Sequence, residues 1–122
     1  MQNKEKAAAF LTLAASDKVD EAYDTYIHPN FRHHNVHFPG DRASLYHGMK
    51  ESAERFPLKE YRTVRTLEDD DLVAVHGRIR IAPGAPEIAL IHIFRFEDGL
   101  IIEEWEAGQE VPEDSPNTNG AF

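Results

Sequence analysis

The chain has 122 residues, no cysteine, and 22 acidic against 13 basic side chains, a formal charge of −9 with histidine neutral. That length suits one domain with a core that folds without staples, and the missing cysteines exclude disulfides, thiolate metal sites and cysteine nucleophiles. Arg55, Arg62, Arg65, Arg78 and Arg80 are interleaved with acids rather than clustered, and no apolar run approaches the ~18–20 residues that span a bilayer, so neither nucleic acid nor membrane is an expected partner and the cytoplasm is the expected location.

In chain order, Ala7, Phe10, Leu11 and Ala14 recur at helical spacing between Asn3 and Ala15, with Asn3 as the expected cap. A second helix begins near Ser16-Asp17 and buries Val19, Ala22, Tyr23, Tyr26 and Ile27 before Pro29 stops it. Phe31 to Phe38 reads as a short strand or extended loop, and a third helix is expected from Leu45 to Phe56, ending at Pro57. From there the period changes to 2, giving strands at Tyr61–Leu67, Leu72–Ile81, Ile88–Phe96 and Leu100–Ala107, joined by turns rich in Asp, Gly and Pro. Helices first and an antiparallel meander after them predict an α+β fold, helices packed on one face of a curved sheet, as one domain over residues 1–122. Val111 to Phe122 is expected to be an extended tail.

A turn over Ala82–Glu87 sets Ile81 opposite Ile88, Ile79 opposite Leu90 and Gly77 opposite His92. One face then carries Val73, Val75, Gly77, Ile79, Ile81, Leu90, His92, Phe94 and Phe96, and the other His76, Arg78, Arg80, Arg95 and Glu97. This charge segregation puts the first face under the helices. On the outer face Ile91, Ile93, Ile101 and Trp105 form an apolar surface that a sheet-to-sheet homodimer would cover. The last hairpin has two readings. A three-residue loop with Gly99 left-handed puts Leu100, Ile102, Glu104 and Glu106 on the His92 face; a two-residue Asp98-Gly99 turn puts Ile101, Glu103 and Trp105 there.

His92, in an apolar wall, is placed to exchange a proton near neutral pH; the alternative is a core histidine satisfied by one hydrogen bond. Glu104 and Glu106, two apart on one strand, form a carboxylate pair suited to acid–base work, unless they are a solvated strand end. Seven histidines, five of them between Ile27 and Gly48 (His28, His33, His34, His37 and His47), invite a metal reading. Their spacing matches neither His-Glu-x-x-His nor a helical i, i+4 pair, so no metal site is expected. No phosphate loop, nucleophile elbow or dinucleotide fingerprint occurs.

Several strings together resemble the NTF2-like superfamily of α+β cones and, within it, the SnoaL-like polyketide cyclase group. They are Tyr26-Ile27-His28-Pro29-Asn30-Phe31 leading to His34-Asn35, Tyr46-His47-Gly48, Val75-His76-Gly77-Arg78, Ile91-His92-Ile93-Phe94-Arg95-Phe96, and Asp98-Gly99-Leu100-Ile101 before Glu103-Glu104-Trp105-Glu106-Ala107-Gly108-Gln109. The resemblance covers nearly the whole chain and implies a deep pocket between the helices and the concave sheet face. It favours the three-residue loop. His92 falls where ketosteroid isomerase-like relatives place an oxyanion-stabilising acid, and Glu106 where close relatives carry aspartate after the tryptophan. The cyclases' own catalytic aspartate falls near Gln109, and glutamine cannot act as a base.

The function this implies is cofactor-independent removal of a proton next to a carbonyl of a small, partly apolar substrate, for cyclisation, isomerisation or aldol chemistry. Glu106 or His92 is the expected base. His34, Asn35 and Gln109 are the expected donors to the developing enolate oxygen, and Glu104, Phe94 and Leu90 the substrate-contacting neighbours. The rivals are a ligand-binding module with the same pocket and no turnover, and a histidine-based metal enzyme.

Overall fold

The computed structural model describes residues 1–122. Helix α1 (Asn3–Ala14) buries Ala7, Phe10, Leu11 and Ala14. It is capped one residue earlier than expected: the Glu5 carboxylate reaches back to accept from the Gln2 N–H at 3.3 Å. Helix α2 (Val19–Tyr26) buries Val19, Ala22 and Tyr23. It gives way directly to β1 (Ile27–His33), earlier than the strand expected from Phe31. Pro29 explains the change, because it lacks an N–H and pushes His28 out of the helical region. Helix α3 (Arg42–Arg55) starts where the Asp41 carboxylate accepts from the Ser44 N–H at 3.3 Å.

Strands β2 (Glu60–Asp69), β3 (Leu72–Arg80), β4 (Glu87–Glu97) and β5 (Leu100–Glu110) complete a five-stranded sheet in the order β1-β5-β4-β3-β2. All neighbours are antiparallel except β1, which runs parallel to β5. The helices cover one face, α1 against β2 and β3. Phe10 seals this layer, meeting Tyr23 and Phe94 edge to face at 5.8 and 5.9 Å between ring centroids. No helix is long and apolar enough to cross a membrane.

The β3–β4 register is two residues away from the expected one. Ile79 pairs with Ile88, Gly77 with Leu90 and Val75 with His92. An even slip preserves the faces, so the inward set survives while the partners change. The hairpin closes at Arg80–Glu87, where Glu87 takes both a bidentate bond from Arg78 at 2.7 and 2.8 Å and an ion pair with Arg80 at 3.3 Å. Gly77 therefore makes room not for His92 but for Tyr61 of β2. A Cβ at position 77 would lie 2.6 Å from the Tyr61 hydroxyl.

The last hairpin combines the two readings. Asp98 (φ 53°) and Gly99 (φ 77°) form a two-residue turn of the primed type, with Glu97 opposite Leu100 and Phe96 opposite Ile101. The ladder then skips Ile102 and resumes as Arg95 with Glu103, Phe94 with Glu104 and His92 with Glu106. This bulge resets the alternation. Ile101 turns inward and is fully buried, not part of the outer surface as expected; Glu104 and Glu106 still reach the His92 face, by the bulge rather than by a longer loop.

Residues 111–122 hold no helix or strand. The Val111 N–H donates to the Glu87 carbonyl at 2.8 Å. The tail ends on the outer sheet face, where Phe122 stacks on His76 and lies 4.0 Å from the Arg78 guanidinium.

Candidate active site

Alternation along β4 and β5 brings His92, Glu104 and Glu106 together on the inner face, because His92 pairs directly with Glu106 and Phe94 with Glu104. His92 Nε2 lies 3.2 Å from Glu106 Oε2 and 3.5 Å from Glu104 Oε1. The His92 ring rests flat on Phe94, 5.6 Å between centroids and 8° between planes, which fixes its tilt.

The two carboxyls have opposite surroundings. Glu104 is 1% exposed, and neither of its oxygens has a hydrogen-bond partner. Burial, and behind it the charge of Glu106, raises its carboxyl well above the usual range, so the protonated form is favoured there. Burial also pushes Glu106 upward, but the His92 ring and the Asn35 amide outweigh it and hold that carboxyl below the usual range. The two carboxyls are thus pushed in opposite directions, the separation that acid–base sites use.

Asn35 comes from the turn after β1. Its Oδ1 accepts from the His37 N–H at 3.0 Å, which leaves Nδ2 to donate to Glu106 Oε1 at 2.5 Å. The amide orientation is therefore set by the backbone. His33 is the inward histidine of this segment, 4% exposed, accepting the Asn35 N–H on Nδ1 at 3.1 Å, with Nε2 unpartnered. The sequence offers it only among the histidines of the metal reading, although the period of 2 from inward Phe31 points to its inward position.

A cavity of about 280 Å³ opens above this group. Leu11, Leu45, Met49, Ile79 and Leu90 form its apolar wall, while Asn35, His92, Glu106, Ser52, Lys59 and Tyr61 supply polar groups. Of the expected site residues, Glu106, His92, Asn35 and Leu90 line it. Glu104 and Phe94 lie beneath, fully buried. His34 and Gln109 do not reach it. His34 stacks on Trp105 with rings 5.0 Å apart and parallel, its Nε2 2.7 Å from Glu103 Oε2. Gln109 is exposed opposite Ala89. Both belong to the outer face by strand alternation. There Glu103 takes contacts from Arg32 at 3.0 Å and Arg95 at 2.9 Å besides His34, and its carboxyl is pushed down to about 2, chiefly by the Arg32 bond.

The histidines between Ile27 and Gly48 do not converge. Two groups bring three ligand atoms within 4.8 Å of one another: His28, Glu97 and Asp98 at the surface, and His92, Glu104 and Glu106 inside. The inner trio could hold a cation only after Glu104 gave up its proton.

A SnoaL-like domain model matches residues 7–104. No curated protein matches the chain. Among solved structures, IdmH of Streptomyces antibioticus, a candidate polyketide cyclase, superposes with a TM-score of 0.72 at 20% identity, covering 89% of this chain and 93% of its own. An uncharacterised cystatin-fold protein of Novosphingobium aromaticivorans gives 0.73 at 16% identity, covering 88% and 98%. A candidate SnoaL-like polyketide cyclase of Jannaschia sp. CCS1 gives 0.72 at 17%, covering 88% and 85%. These likenesses concern the fold, three helices on a curved sheet. With most of its length matched by the domain model, the chain belongs to the SnoaL-like family of the NTF2-like fold.

Proposed function

We propose that the protein is a cofactor-independent acid–base enzyme that removes a proton next to a carbonyl of a small, partly apolar substrate, leading to cyclisation, isomerisation or aldol chemistry. The observation that carries this reading is the Glu106 carboxyl facing a cavity with an apolar wall, with Asn35 and His92 on its two oxygens and the fully buried Glu104 below. Glu106 takes the proton. Asn35 Nδ2 orients it by holding Oε1; the proton goes to Oε2, which frees the His92 Nε2–H, 3.2 Å away in the resting site, to donate to the enolate oxygen as charge develops there. In a cavity with apolar walls such a donor stabilises charge better than it would in water. The same reading includes a cytoplasmic location and a homodimer through the outer sheet face, where Ile91 and Ile93 remain 43% and 39% exposed.

The test uses 2-tetralone, whose acidic hydrogens beside the ketone exchange with D2O and are followed by proton NMR. The wild type should accelerate exchange over buffer, and Glu106→Gln should abolish the acceleration while leaving the fold intact. If Glu106→Gln and His92→Ala both exchange as fast as the wild type, the assignment is wrong. Saturable binding of tetralone without any exchange would favour the non-catalytic binding module. Light scattering in solution tests the dimer.

A further inference from the structure

Lys59 is the one cation that lines the cavity. It sits just before β2, half-buried, and its ammonium donates to the Ser52 hydroxyl at 2.6 Å but pairs with no carboxylate. Nearby Arg78 and Arg80 are both held by Glu87. In a chain with 22 acids and 13 bases, a cavity cation left without a counterion is unusual, and burying an uncompensated ammonium is costly. Burial accordingly lowers its affinity for a proton.

Its position supplies the second observation. Lys59, Tyr61, Ile79 and Ala15 also border an adjoining surface groove in which Arg62, Arg78 and Arg80, together with Lys59, outnumber the carboxylates Glu60 and Glu87. Asn35, Leu90 and Glu106 border a different recess beside His37. The cavity thus touches two polar recesses that share no residue, and Leu11, Leu45 and Met49 belong to the apolar lining that neither recess includes. Strands β2 and β5 are three strand spacings apart, about 14 Å at the backbone; both side chains reach inward and shorten that gap.

We infer that Lys59 and Ser52 form an anion subsite of this cavity, so that its ligand is an apolar molecule carrying a carboxylate or phosphate at the end remote from Glu106. The inference rests on the cavity being a ligand site, as in the acid–base reading, but not on turnover. The anion enters past the basic groove, replaces the missing counterion of Lys59, and aligns the apolar body along the wall toward Glu106. Lys59 would be a binding residue, since it lies at the opposite end from the proton-transfer group.

The test is calorimetric binding of octanoate, octyl phosphate and octanol to the wild type, Lys59→Met and Glu106→Gln. The wild type should bind at least one of the two anions about tenfold or more tighter than octanol, the scale of a hydrogen bond to a charged group. Which anion binds tighter identifies the headgroup. Lys59→Met should erase the preference and leave octanol binding unchanged, whereas Glu106→Gln should retain it. Equal binding of octanol and both anions by the wild type, a measurement that needs no variant, would overturn the subsite, as would a preference that survives in a folded Lys59→Met. Loss of tetralone exchange in the wild type with the anion preference intact would sink the acid–base reading alone.

Discussion

Replacing Glu104 by glutamine should stabilise the protein, and by an amount that grows with pH. The Glu104 carboxyl is 1% exposed, its oxygens lack partners, and the ionised Glu106 is its neighbour on the strand. Its affinity for a proton is therefore higher folded than unfolded. A group with a raised folded-state value contributes its stability below the unfolded carboxyl range, near 4.3, and loses it as pH rises toward the folded value. Each pH unit over which the folded carboxyl keeps its proton takes about 1.4 kcal/mol from the wild type and nothing from the amide. Between pH 5 and pH 7 the gap can therefore widen by at most about 2.7 kcal/mol. For a domain of this size that is up to roughly 10 °C in melting temperature. Packing differences between acid and amide shift both ends of the series equally, so the slope carries the test. Thermal unfolding of both proteins by circular dichroism at half-unit steps from pH 5 to pH 8 measures it. A melting-temperature difference that stays constant over this range, or favours the wild type increasingly as pH rises, would refute the neutral Glu104.

Glu103→Gln should behave in the opposite sense. With the wild-type carboxyl pushed down to about 2, its contribution is full above the unfolded carboxyl range and disappears as pH falls toward 2. The variant should be less stable at pH 7 by roughly 1–2 kcal/mol, discounted because Arg32 is exposed, and indistinguishable near pH 2; denaturant melts at several pH values would show the convergence. Gly77→Ala places a Cβ 2.6 Å from the Tyr61 hydroxyl and should cost about 1–3 kcal/mol, read as a lower urea midpoint. Phe10→Ala empties the junction of α1 with Tyr23 and Phe94 and should cost about 3–5 kcal/mol, seen as a large fall in melting temperature.

Much of the fold is legible in local patterning. The apolar stripe of Ala7, Phe10, Leu11 and Ala14 has a period only a helix can bury on one side. The alternation from Val73 to Phe96 segregates charge whichever even register is chosen. That is why the inward set, His92 included, could be read although its cross-strand partner could not. Glu104 and Glu106 are likewise recognisable as a pair sharing one face, because residues two apart on an unbulged stretch of strand do.

Which face they share was decided elsewhere. The type of turn at Asp98-Gly99 and the bulge at Ile102 each reverse the alternation, and only together do they return Glu104 and Glu106 to the cavity. Local sequence permits either event singly; the closed fold selects both, since Ile101 fills the core and Glu103 meets Arg32, Arg95 and His34 outside. The parallel pairing of β1 with β5 similarly turns His33 inward and His34 outward. Lys59 acquires its character entirely from distant neighbours: nothing in Leu58-Lys59-Glu60 marks it, and its half-burial arises where α3 meets the start of β2. The chain thus dictates its elements and its inward residues through short-range periodicity, while the electrostatics of the site depend on desolvation by segments far apart in sequence, which only the assembled tertiary structure supplies.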